Sequence, residues 1–382
     1  MKMKYWLIGI VLVVLAGCKE KFVVSTDRPS GGYLVVEGFI NINGNTDIIL
    51  SRSSGLDTPR RIPEPGAQVE IQTAGGTAYS LNEEPDGHYI LDSPSLDPTQ
   101  QYRLRIRTAN GKEYASDLTK VNITPPIDSL NWKGASDAVT VYVSTHDDQV
   151  QPGYYQWQFE ETWKYISAYS SELEYDNNGW FTIRPDSNMI YTCWRSARST
   201  NISLANTEKL SSNVIFQYPL TEISYSGSDR LVARYSILVK QYAISKEWYE
   251  WSLKVKRNTE LIGSIFDAQP SELSGNIHGI TDPSETVIGY IGCSTETEKR
   301  IFIDRNDIPP GIVFTGYEAC QDYGLDKGDA VGIAETFSPG SNYTPTHFIY
   351  TLGFLTGVAY ASSPCVDCRL KGGTTIKPPF WQ

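Results

Sequence analysis

Short runs that alternate apolar and polar residues dominate this chain, and they restrict it to a mainly β fold. The run at residues 102–107 (YRLRIR) places its apolar side chains on one face and its arginines on the other, because successive side chains of a strand point in opposite directions. Asn110 and Gly111 follow, and both tolerate a positive φ, so they predict a tight hairpin turn. About seven such strands at residues 33–124 predict an immunoglobulin-like antiparallel β-sandwich.

A boundary between two domains is predicted after residue 124. Pro125 and Pro126 disfavour regular strand pairing and indicate a stiff connector. Residues 125–382 continue with longer alternating runs, such as the one at 231–242 (LVARYSILVKQY), and are predicted to form a larger β-rich domain. Two domains agree with a length of 382 residues, since domains commonly have about 100–200.

One amphipathic helix is expected within the second domain, at about residues 245–262. Ser245 suits the N-cap, and Glu247 lies where the helix dipole favours negative charge. Trp248 and Trp251 begin an apolar stripe at helical spacing, and Gly263 provides a stop. Such a stripe either packs on a core, which is the commoner role, or forms a ligand platform.

The first residues have the pattern of a bacterial signal peptide. Lys2 and Lys4 precede an apolar run at residues 5–15. That run is too short for a stable transmembrane helix, which needs about 20 residues. Residues 15–18 (LAGC) then resemble a lipobox that ends at Cys18. The alternative is ordinary signal cleavage next to an incidental cysteine.

The lipobox resemblance implies a membrane-anchored protein. A lipoprotein signal peptide at residues 1–17 is removed, Cys18 receives diacylglyceryl and palmitate, and residues 18–32 become a lipidated tether. Several acyl chains together give stable anchoring. The mature chain has 31 basic and 44 acidic residues, a net charge of −13, which disfavours direct adsorption to anionic lipid.

The residues after Cys18 bear on the location of the protein. Residues 19–21 (KEK) resemble the surface-export signal of Bacteroidota lipoproteins. The resemblance implies a lipid-anchored outer-membrane protein that is exposed at the cell surface. A body that faces the periplasm is the alternative.

Charge and local motifs argue against several classes of function. The net charge of −11 disfavours a nucleic-acid binder, which needs a basic surface. The four histidines lie far apart in the sequence, and there is no His-Glu-x-x-His zinc motif. Neither a Gly-x-Ser-x-Gly elbow nor a Gly-Lys-Ser/Thr phosphate loop occurs. We therefore expect no catalytic residues, no metal and no cofactor, unless distant loops assemble a catalytic set.

Two acidic patterns resemble functional sites. Glu160 and Glu161 are adjacent carboxylates, but neighbours on a strand point to opposite faces, so separate roles are expected. Residues 174–179 (EYDNNG) place oxygen-bearing side chains at alternate positions before a glycine, as a calcium loop does. Pro185 stands where an EF-hand requires Glu, which excludes an EF-hand and leaves a polar turn or a looser calcium site.

The cysteines predict structural disulfides. Five cysteines remain after Cys18, an odd number, in an exported chain where disulfides persist. Residues 365–368 (CVDC) fit a redox pair, a metal half-site or two bridge ends. Structural bridges are favoured because neither a βαβ pattern nor a second Cys-x-x-Cys is present. The candidate bridge residues are Cys320, Cys365 and Cys368.

Aromatic residues with polar neighbours are concentrated between residues 163 and 181. Such a composition is typical of partner interfaces and stacking sites, and the alternative is an insertion folded over its own core. The candidate partner or ligand surface consists of Trp163, Tyr165, Tyr169, Tyr175, Trp180 and Phe181.

An ordered set of segments is similar to a known family. They are residues 34–40 (LVVEGFI), 125–130 (PPIDSL), 155–163 (YQWQFEETW), 193–194 (CW), 234–242 (RYSILVKQY), 264–271 (SIFDAQPS), 275–277 (GNI), 298–303 (EKRIFI) and 365–374 (CVDCRLKGGT). Together they resemble a family of Bacteroidota outer-membrane lipoproteins known as domain of unknown function 4249. The resemblance covers nearly the whole mature chain and supplies no catalytic residues.

The resemblance implies a function, since members of that family are often encoded beside TonB-dependent receptors. We expect a non-enzymatic accessory protein that binds a small nutrient or oligomer, or gates its entry, for such a receptor. One alternative is an extracellular hydrolase of polymers that uses acids such as Glu160 and Asp176. The other alternative is a structural or adhesive protein of the envelope.

Overall fold

The computed structural model describes residues 32–54, 61–149, 152–176, 178–260, 275–308 and 314–381. Within these ranges the chain is mainly β, which confirms the predicted fold class. The predicted signal peptide, Cys18 and residues 19–31 of the predicted tether lie outside the described residues.

The first part of the chain forms short strands. They are β1 (Leu34–Glu37), β2 (Ile40–Asn41), β3 (Thr46–Arg52), β4 (Ile62–Pro63), β5 (Gln68–Thr73), β6 (Ala78–Ser80), β7 (Asn82–Glu84), β8 (His88–Leu91), β9 (Gln101–Arg107), β10 (Glu113–Ser116) and β11 (Thr119–Asn122). Strands β9 and β10 are antiparallel neighbours, and Gly111 between them has a φ of +84°. The hairpin predicted at this position is therefore confirmed.

The second part contains longer strands and one long helix. They are β12 (Ile127–Gly134), β13 (Ala138–His146), β14 (Tyr154–Ile166), β15 (Leu173–Tyr175), β16 (Phe181–Ile183), β17 (Thr192–Arg198), β18 (Ser203–Asn206), β19 (Val214–Ser224), β20 (Arg234–Ala243) and α1 (Lys246–Glu260). Ser245 caps α1, because its hydroxyl accepts the Trp248 backbone N–H at 3.1 Å. The predicted helix is confirmed as far as Glu260, and residues 261–262 lie outside the described residues.

The remaining elements include strands of both parts. They are β21 (Ile277–Gly279), β22 (Val287–Ile288), β23 (Cys293–Ser294), β24 (Glu296–Asp304), β25 (Asp322–Asp326), α2 (Ala330–Thr336), β26 (Tyr343–Thr351), β27 (Phe354–Ser362) and α3 (Ser363–Val366). Short 3₁₀ turns lie at Pro85–Gly87, Asp186–Asn188, Arg305–Asp307 and Cys368–Lys371.

Two sheets form a sandwich at the N-terminal end. One has the order β22-β1-β3-β8-β7 with β4 on β3, and the other has the order β2-β23-β11-β9-β10-β21 with β5 on β9 and β6 on β5. Apolar residues of both sheets, such as Leu34 and Ile48 from the first and Ile71 and Leu104 from the second, share one core. Their burial follows the period-two alternation of the strands.

The sandwich differs from the prediction in where its strands come from. Strands β21, β22 and β23 belong to residues 277–294, so a division at residue 124 separates strands that share a sheet. Strand β22 runs parallel to β1, and β23 runs parallel to β2 and β11. The chain forms β22 and β23 only after most of the second part. No hairpin therefore links them to β1, β2 or β11 and forces an antiparallel pairing.

The second part has its own core, between the sheet β12-β13-β19 and the sheet β17-β14-β20-β24. Strand β18 pairs with one end of β14. Helix α1 lies at the junction with the sandwich, where Trp248 packs with Tyr242 and Phe39. At Trp248, the predicted apolar stripe of the helix therefore packs in a core.

Candidate functional site

A small aromatic unit has sheets and an apolar cluster separate from those of the second part, and we call it the aromatic lobe. It consists of the hairpin β15–β16, the sheet β25-β27-β26 and helix α2. Phe181 of the hairpin packs edge to face on Phe337, the residue after α2, with ring centroids 5.5 Å apart. Leu173, Phe337 and Val358 are its buried centre. The lobe therefore has a core of its own.

Two disulfides fasten the lobe and the C-terminal tail. Cys320, just before β25, is bonded to Cys365 in α3. Cys368 is bonded to Cys193 on β17, a residue outside the candidate bridge set. The three candidates are thus all in bridges, and the structure gives a pairing that the sequence left open. The segment after β27 is therefore held to the lobe through Cys320 and to the sheet β17-β14-β20-β24 through Cys193.

The fifth cysteine, Cys293, is unbonded and fully buried on β23. Burial raises the pKa of its thiol to about 12. A buried thiol with a raised pKa is chemically inert, because the thiolate is the reactive form.

A cleft of about 460 Å³ opens beside the lobe. Its walls come from the β15–β16 hairpin, the loop that follows it, the residues after α2 and the start of β26. The lining includes Glu174, Tyr175, Arg184, Asn188, Phe337 and Tyr343. Its volume falls within the range of about 300–1,000 Å³ that is typical of small-molecule sites.

The polar wall of the cleft is organised by Arg184, whose side chain is mostly buried. Its Nη1 donates to Glu174 Oε1 at 2.9 Å, and its Nη2 donates to the Leu173 carbonyl at 3.1 Å. Asn188 Nδ2 also donates to Glu174 Oε1. Burial lowers the pKa of Arg184, and the neighbouring Glu174 opposes that effect. The polar groups of this wall are therefore held in fixed positions.

The β26–β27 hairpin ends in an exposed apolar tip, which we define as Tyr350, Leu352, Phe354 and Leu355. Leu352 is 94% exposed and Phe354 is 75% exposed. Leu352 has a φ of +52° and the next residue, Gly353, has a φ of +82°. Type I′ hairpin turns require two positive φ values and favour Asn-Gly. A leucine there is strained, at a cost of about 1–3 kcal/mol.

The hairpin tip lies in a segment without formal charge. No Asp, Glu, Lys or Arg occurs between residues 336 and 366, in a chain that is 20% charged. Strands usually carry charges where they face solvent and edges are open. The apolar tip is thus neither shielded by its own core nor flanked by charged neighbours along the chain, which is typical of a contact surface. The absence of charge at residues 336–366 is a property of the sequence alone, and it marks this segment as well as the aromatic residues mark 163–181.

The candidate aromatic surface is corrected at two positions. Trp163 is 3% exposed and Tyr165 is 1% exposed, and both belong to the core of the second part. They lie on β14, between β17 and β20, and both side chains are on the face of the strand that packs into this core. Arg195 lies over both rings, 5.5 Å from the Trp163 centroid and 5.3 Å from that of Tyr165. These two residues stabilise the fold and offer no free surface.

The other four aromatic candidates belong to the lobe or border it. Tyr169 is half-buried, and its hydroxyl donates to the Cys320 carbonyl at 3.3 Å. Tyr175 and Phe181 pack against the lobe core, and Tyr175 also lines the cleft. Among the six candidates, Trp180 alone is mostly exposed. The predicted surface is therefore partly a core, as the alternative interpretation held.

The acidic candidates do not form a carboxylate pair. Glu161 is buried, accepts from the Tyr235 hydroxyl at 2.7 Å and pairs with Arg230 at 3.1 Å. Glu160 lies on the opposite face and pairs with Arg198 at 3.4 Å. The predicted separation of the two side chains is confirmed. Burial, followed by the charge of Glu161, raises the pKa of Tyr235.

Asp176, from the calcium-like loop, stabilises a turn. Its carboxylate accepts the backbone N–H groups of Trp180 and Asn178, both at 2.9 Å, and these bonds lower its pKa. Residue 177 of that loop lies outside the described residues. Across the described ranges, no group of three or more His, Cys, Asp or Glu side chains is placed to hold a metal ion.

In the part of the chain that the structure describes, every helix is too short or too polar to cross a bilayer.

Several solved structures are distantly similar to this chain. The trypsin-activated α2-macroglobulin of Escherichia coli is 11% identical over 58% of this chain and 15% of its own, with a TM-score of 0.19. The adhesin InvE of Yersinia pseudotuberculosis is 18% identical over 46% of this chain and 58% of its own, with a TM-score of 0.15. A DUF3823 family protein of Parabacteroides merdae is 11% identical over 52% of this chain and 90% of its own, with a TM-score of 0.14. Scores this low do not establish a shared fold.

The sequence itself gives a clearer result. No curated protein matches the chain. A family model described as "Domain of unknown function (DUF4249)" matches residues 19–300, which is most of the chain and includes the sandwich and most of the second part. The family resemblance found in the sequence is thus confirmed, and this chain belongs to the DUF4249 family.

Proposed function

We propose that the protein is a non-enzymatic, lipid-anchored lipoprotein of the outer membrane, exposed at the cell surface, that serves a TonB-dependent receptor in nutrient uptake. Its role is to bind the nutrient or to gate its entry. The lipobox at Cys18 supports the anchor, and the charged residues 19–21 support surface exposure. The apolar tip of the β26–β27 hairpin is the observation that carries the partner role.

The tip suits a protein partner because of its chemistry. Leu352 and Phe354 expose large apolar side chains, and burying such groups on association contributes about 25 cal/mol per Å² of apolar surface. Exposed clusters of this kind mark interaction sites on soluble domains. The uncharged segment at 336–366 avoids the cost of desolvating charges in an interface.

The tip and the first described residues belong to different units of the fold. The sandwich, which carries the N-terminal end, meets the second part through Phe39, Tyr242 and Trp248. The lobe joins the second part at the tail, through the Cys193–Cys368 and Cys320–Cys365 bridges. A lipid anchor that precedes the sandwich and a contact surface on the aromatic lobe suit a protein that is held in the membrane by lipid and binds a neighbouring membrane protein.

Co-purification tests the partner role. The native protein is solubilised from membranes in a mild detergent and isolated, and the double variant Leu352→Asn with Phe354→Ser is compared with it. We expect the TonB-dependent receptor to accompany the native protein and to be lost from the variant. The matched control is Val331→Ser, since Val331 is also an exposed apolar residue of the lobe, on α2. Isolation of the native protein alone contradicts the proposal.

A second test addresses the anchor. Cys18→Ser removes the thiol that accepts the lipid, so labelled palmitate is no longer incorporated and the protein leaves the membrane fraction. Protease treatment of intact cells that carry the native protein shows on which side of the outer membrane it lies, because a protein at the cell surface is digested. Palmitate labelling that persists in the Cys18→Ser variant contradicts the anchor.

A structural role in the envelope is favoured by one observation, the packed and hydrogen-bonded junction between the two parts. Phe39 packs on Tyr242 with ring centroids 4.5 Å apart, and Glu296 accepts from both Asn41 at 3.3 Å and Tyr242 at 2.6 Å. Such a junction suits a stalk. A structural protein remains in the envelope without a receptor, so the co-purification experiment separates the two functions.

A further inference from the structure

The cleft of the aromatic lobe has the features of a specific ligand site. We propose that it binds a neutral saccharide, of about one or two sugar rings. This inference deepens the proposed function, on which it rests for its role in uptake, because it names the class of nutrient. Binding itself is a property of the isolated protein and needs no receptor.

The first argument is the charge of the cleft. Glu174 and Arg184 are the charged members of its described lining, and they neutralise each other at 2.9 Å. An anionic ligand such as a phosphate needs an excess of cationic donors, and an amine needs an excess of carboxylate. A cleft with balanced charge favours a neutral ligand.

The second argument is the pairing of ring faces with small polar groups. Tyr175 and Tyr343 line the cleft, and both rings are fixed by neighbours, since Tyr175 lies 5.3 Å from Phe337 and Tyr343 lies 5.3 Å from Tyr360. A sugar ring has an apolar face of C–H groups that packs on an aromatic ring, and its hydroxyls need both donors and acceptors.

The third argument is the supply of those donors and acceptors. Asn188, Ser338, Ser341 and Thr344 line the same cleft, and amide and hydroxyl groups both donate and accept. Glu174 adds carboxylate oxygens, and Arg184 holds it in place. Polar groups that are held before the ligand arrives lower the entropy cost of binding. A hydroxyl-rich neutral molecule fits this wall better than an apolar one.

The test is titration calorimetry on the full lipidated protein, held in a detergent without a sugar head group. The probes are cellobiose, maltose and N,N′-diacetylchitobiose, with inorganic phosphate and 1,4-diaminobutane as charged probes. We expect at least one neutral disaccharide to bind, and neither charged probe to bind. A failure of all the neutral sugars up to millimolar concentration overturns the proposal, as does tighter binding of phosphate or the diamine.

Two substitutions locate the site. Tyr343→Ala removes a ring face and Asn188→Ala removes an amide, and each is expected to weaken sugar binding about tenfold, or 1.4 kcal/mol. Tyr350→Ala is the matched control, because Tyr350 lies on the same strand β26 but belongs to the tip. Equal affinity in Tyr343→Ala and Tyr350→Ala overturns the assignment to this cleft.

The outcomes also separate this inference from the proposed function. Tyr343→Ala is expected to lose sugar while it still co-purifies with the receptor. The tip variant is expected to lose the receptor while it still binds sugar. Co-purification without any sugar binding overturns the saccharide inference alone, and sugar binding without a receptor overturns the partner role alone.

Discussion

Arg184 and Glu174 form an ion pair in the wall of the cleft, with Arg184 Nη1 2.9 Å from Glu174 Oε1. The pair joins the strand β15 to the residue that follows β16. Arg184 Nε also donates to the Ser171 hydroxyl at 3.1 Å. One side chain thus fixes both the shape of the hairpin and the polar face of the cleft.

Replacing Arg184 tests this role. Arg184→Met removes several hydrogen bonds from a mostly buried position and leaves Glu174 without its cation. Hydrogen bonds that involve charged groups contribute about 1.5–3 kcal/mol, so we expect unfolding to become easier by about 2–3 kcal/mol. Urea denaturation measures this change. Arg198→Met is the control, because the Arg198 ion pair is exposed and such pairs contribute about 0–1 kcal/mol. Equal effects of the two substitutions contradict the assigned role.

The Cys193–Cys368 bridge is expected to stabilise the chain through the unfolded state. It links residues 175 apart, whereas Cys320–Cys365 links residues 45 apart. Replacing both cysteines of the longer bridge by alanine is expected to cost about 2–5 kcal/mol, and replacing those of the shorter bridge about 1 kcal/mol less. Denaturant unfolding tests the order, and peptide mapping without reduction tests the pairing. A Cys193–Cys320 or Cys365–Cys368 peptide contradicts it.

Cys293 is expected to be unreactive in the folded protein. Its thiol is fully buried and its pKa is raised to about 12, so almost none of it is thiolate near neutral pH. Iodoacetamide should label no cysteine in the native protein and one, Cys293, after unfolding without reduction. Mass spectrometry of the alkylated peptides measures this. Rapid labelling of the native protein contradicts the buried position.

His146 is expected to titrate above its ordinary value. The hydrogen bond and charge of Asp128, whose carboxylate oxygens both lie 2.8 Å from His146 Nδ1, raise its pKa. Stability from a raised pKa is fully present below the unfolded value of about 6.5, and it is lost as the pH rises through the folded value. A proton NMR titration measures the pKa, which should fall in Asp128→Asn and stay unchanged in the distant Asp86→Asn. An unchanged titration in Asp128→Asn contradicts the contact.

The sequence predicted those parts of the fold that local patterns determine. Alternation over 102–107 predicted β9, and Asn110 with Gly111 predicted its turn, because both signals act within a few residues. The Ser245 cap and helix α1 were predictable for the same reason. The alternation at residues 287–291 predicts a strand, of which Val287–Ile288 is β22, but its return to the sandwich was not predictable, since the sheet that a strand joins depends on tertiary contacts.

The candidate site was harder to predict, for physical reasons. Trp163 and Tyr165 have polar neighbours in the sequence, such as Thr162 and Ser167, that are themselves buried. Polar neighbours therefore do not indicate that these two aromatic side chains are exposed. The Cys193–Cys368 pairing depends on tertiary contact between distant segments. The tip was the readable part, because Leu352 and Gly353 lie in an uncharged segment.

The partner role of the tip is tested most directly by photo-crosslinking in living cells. The photoreactive residue p-benzoylphenylalanine replaces Leu352, and in a control strain it replaces Ile123, an exposed apolar residue beside the sandwich strand β11. Irradiation should join the protein to a TonB-dependent receptor, identified by mass spectrometry, at position 352 and not at position 123. No adduct at position 352, or equal adducts at both positions, would contradict the proposed contact.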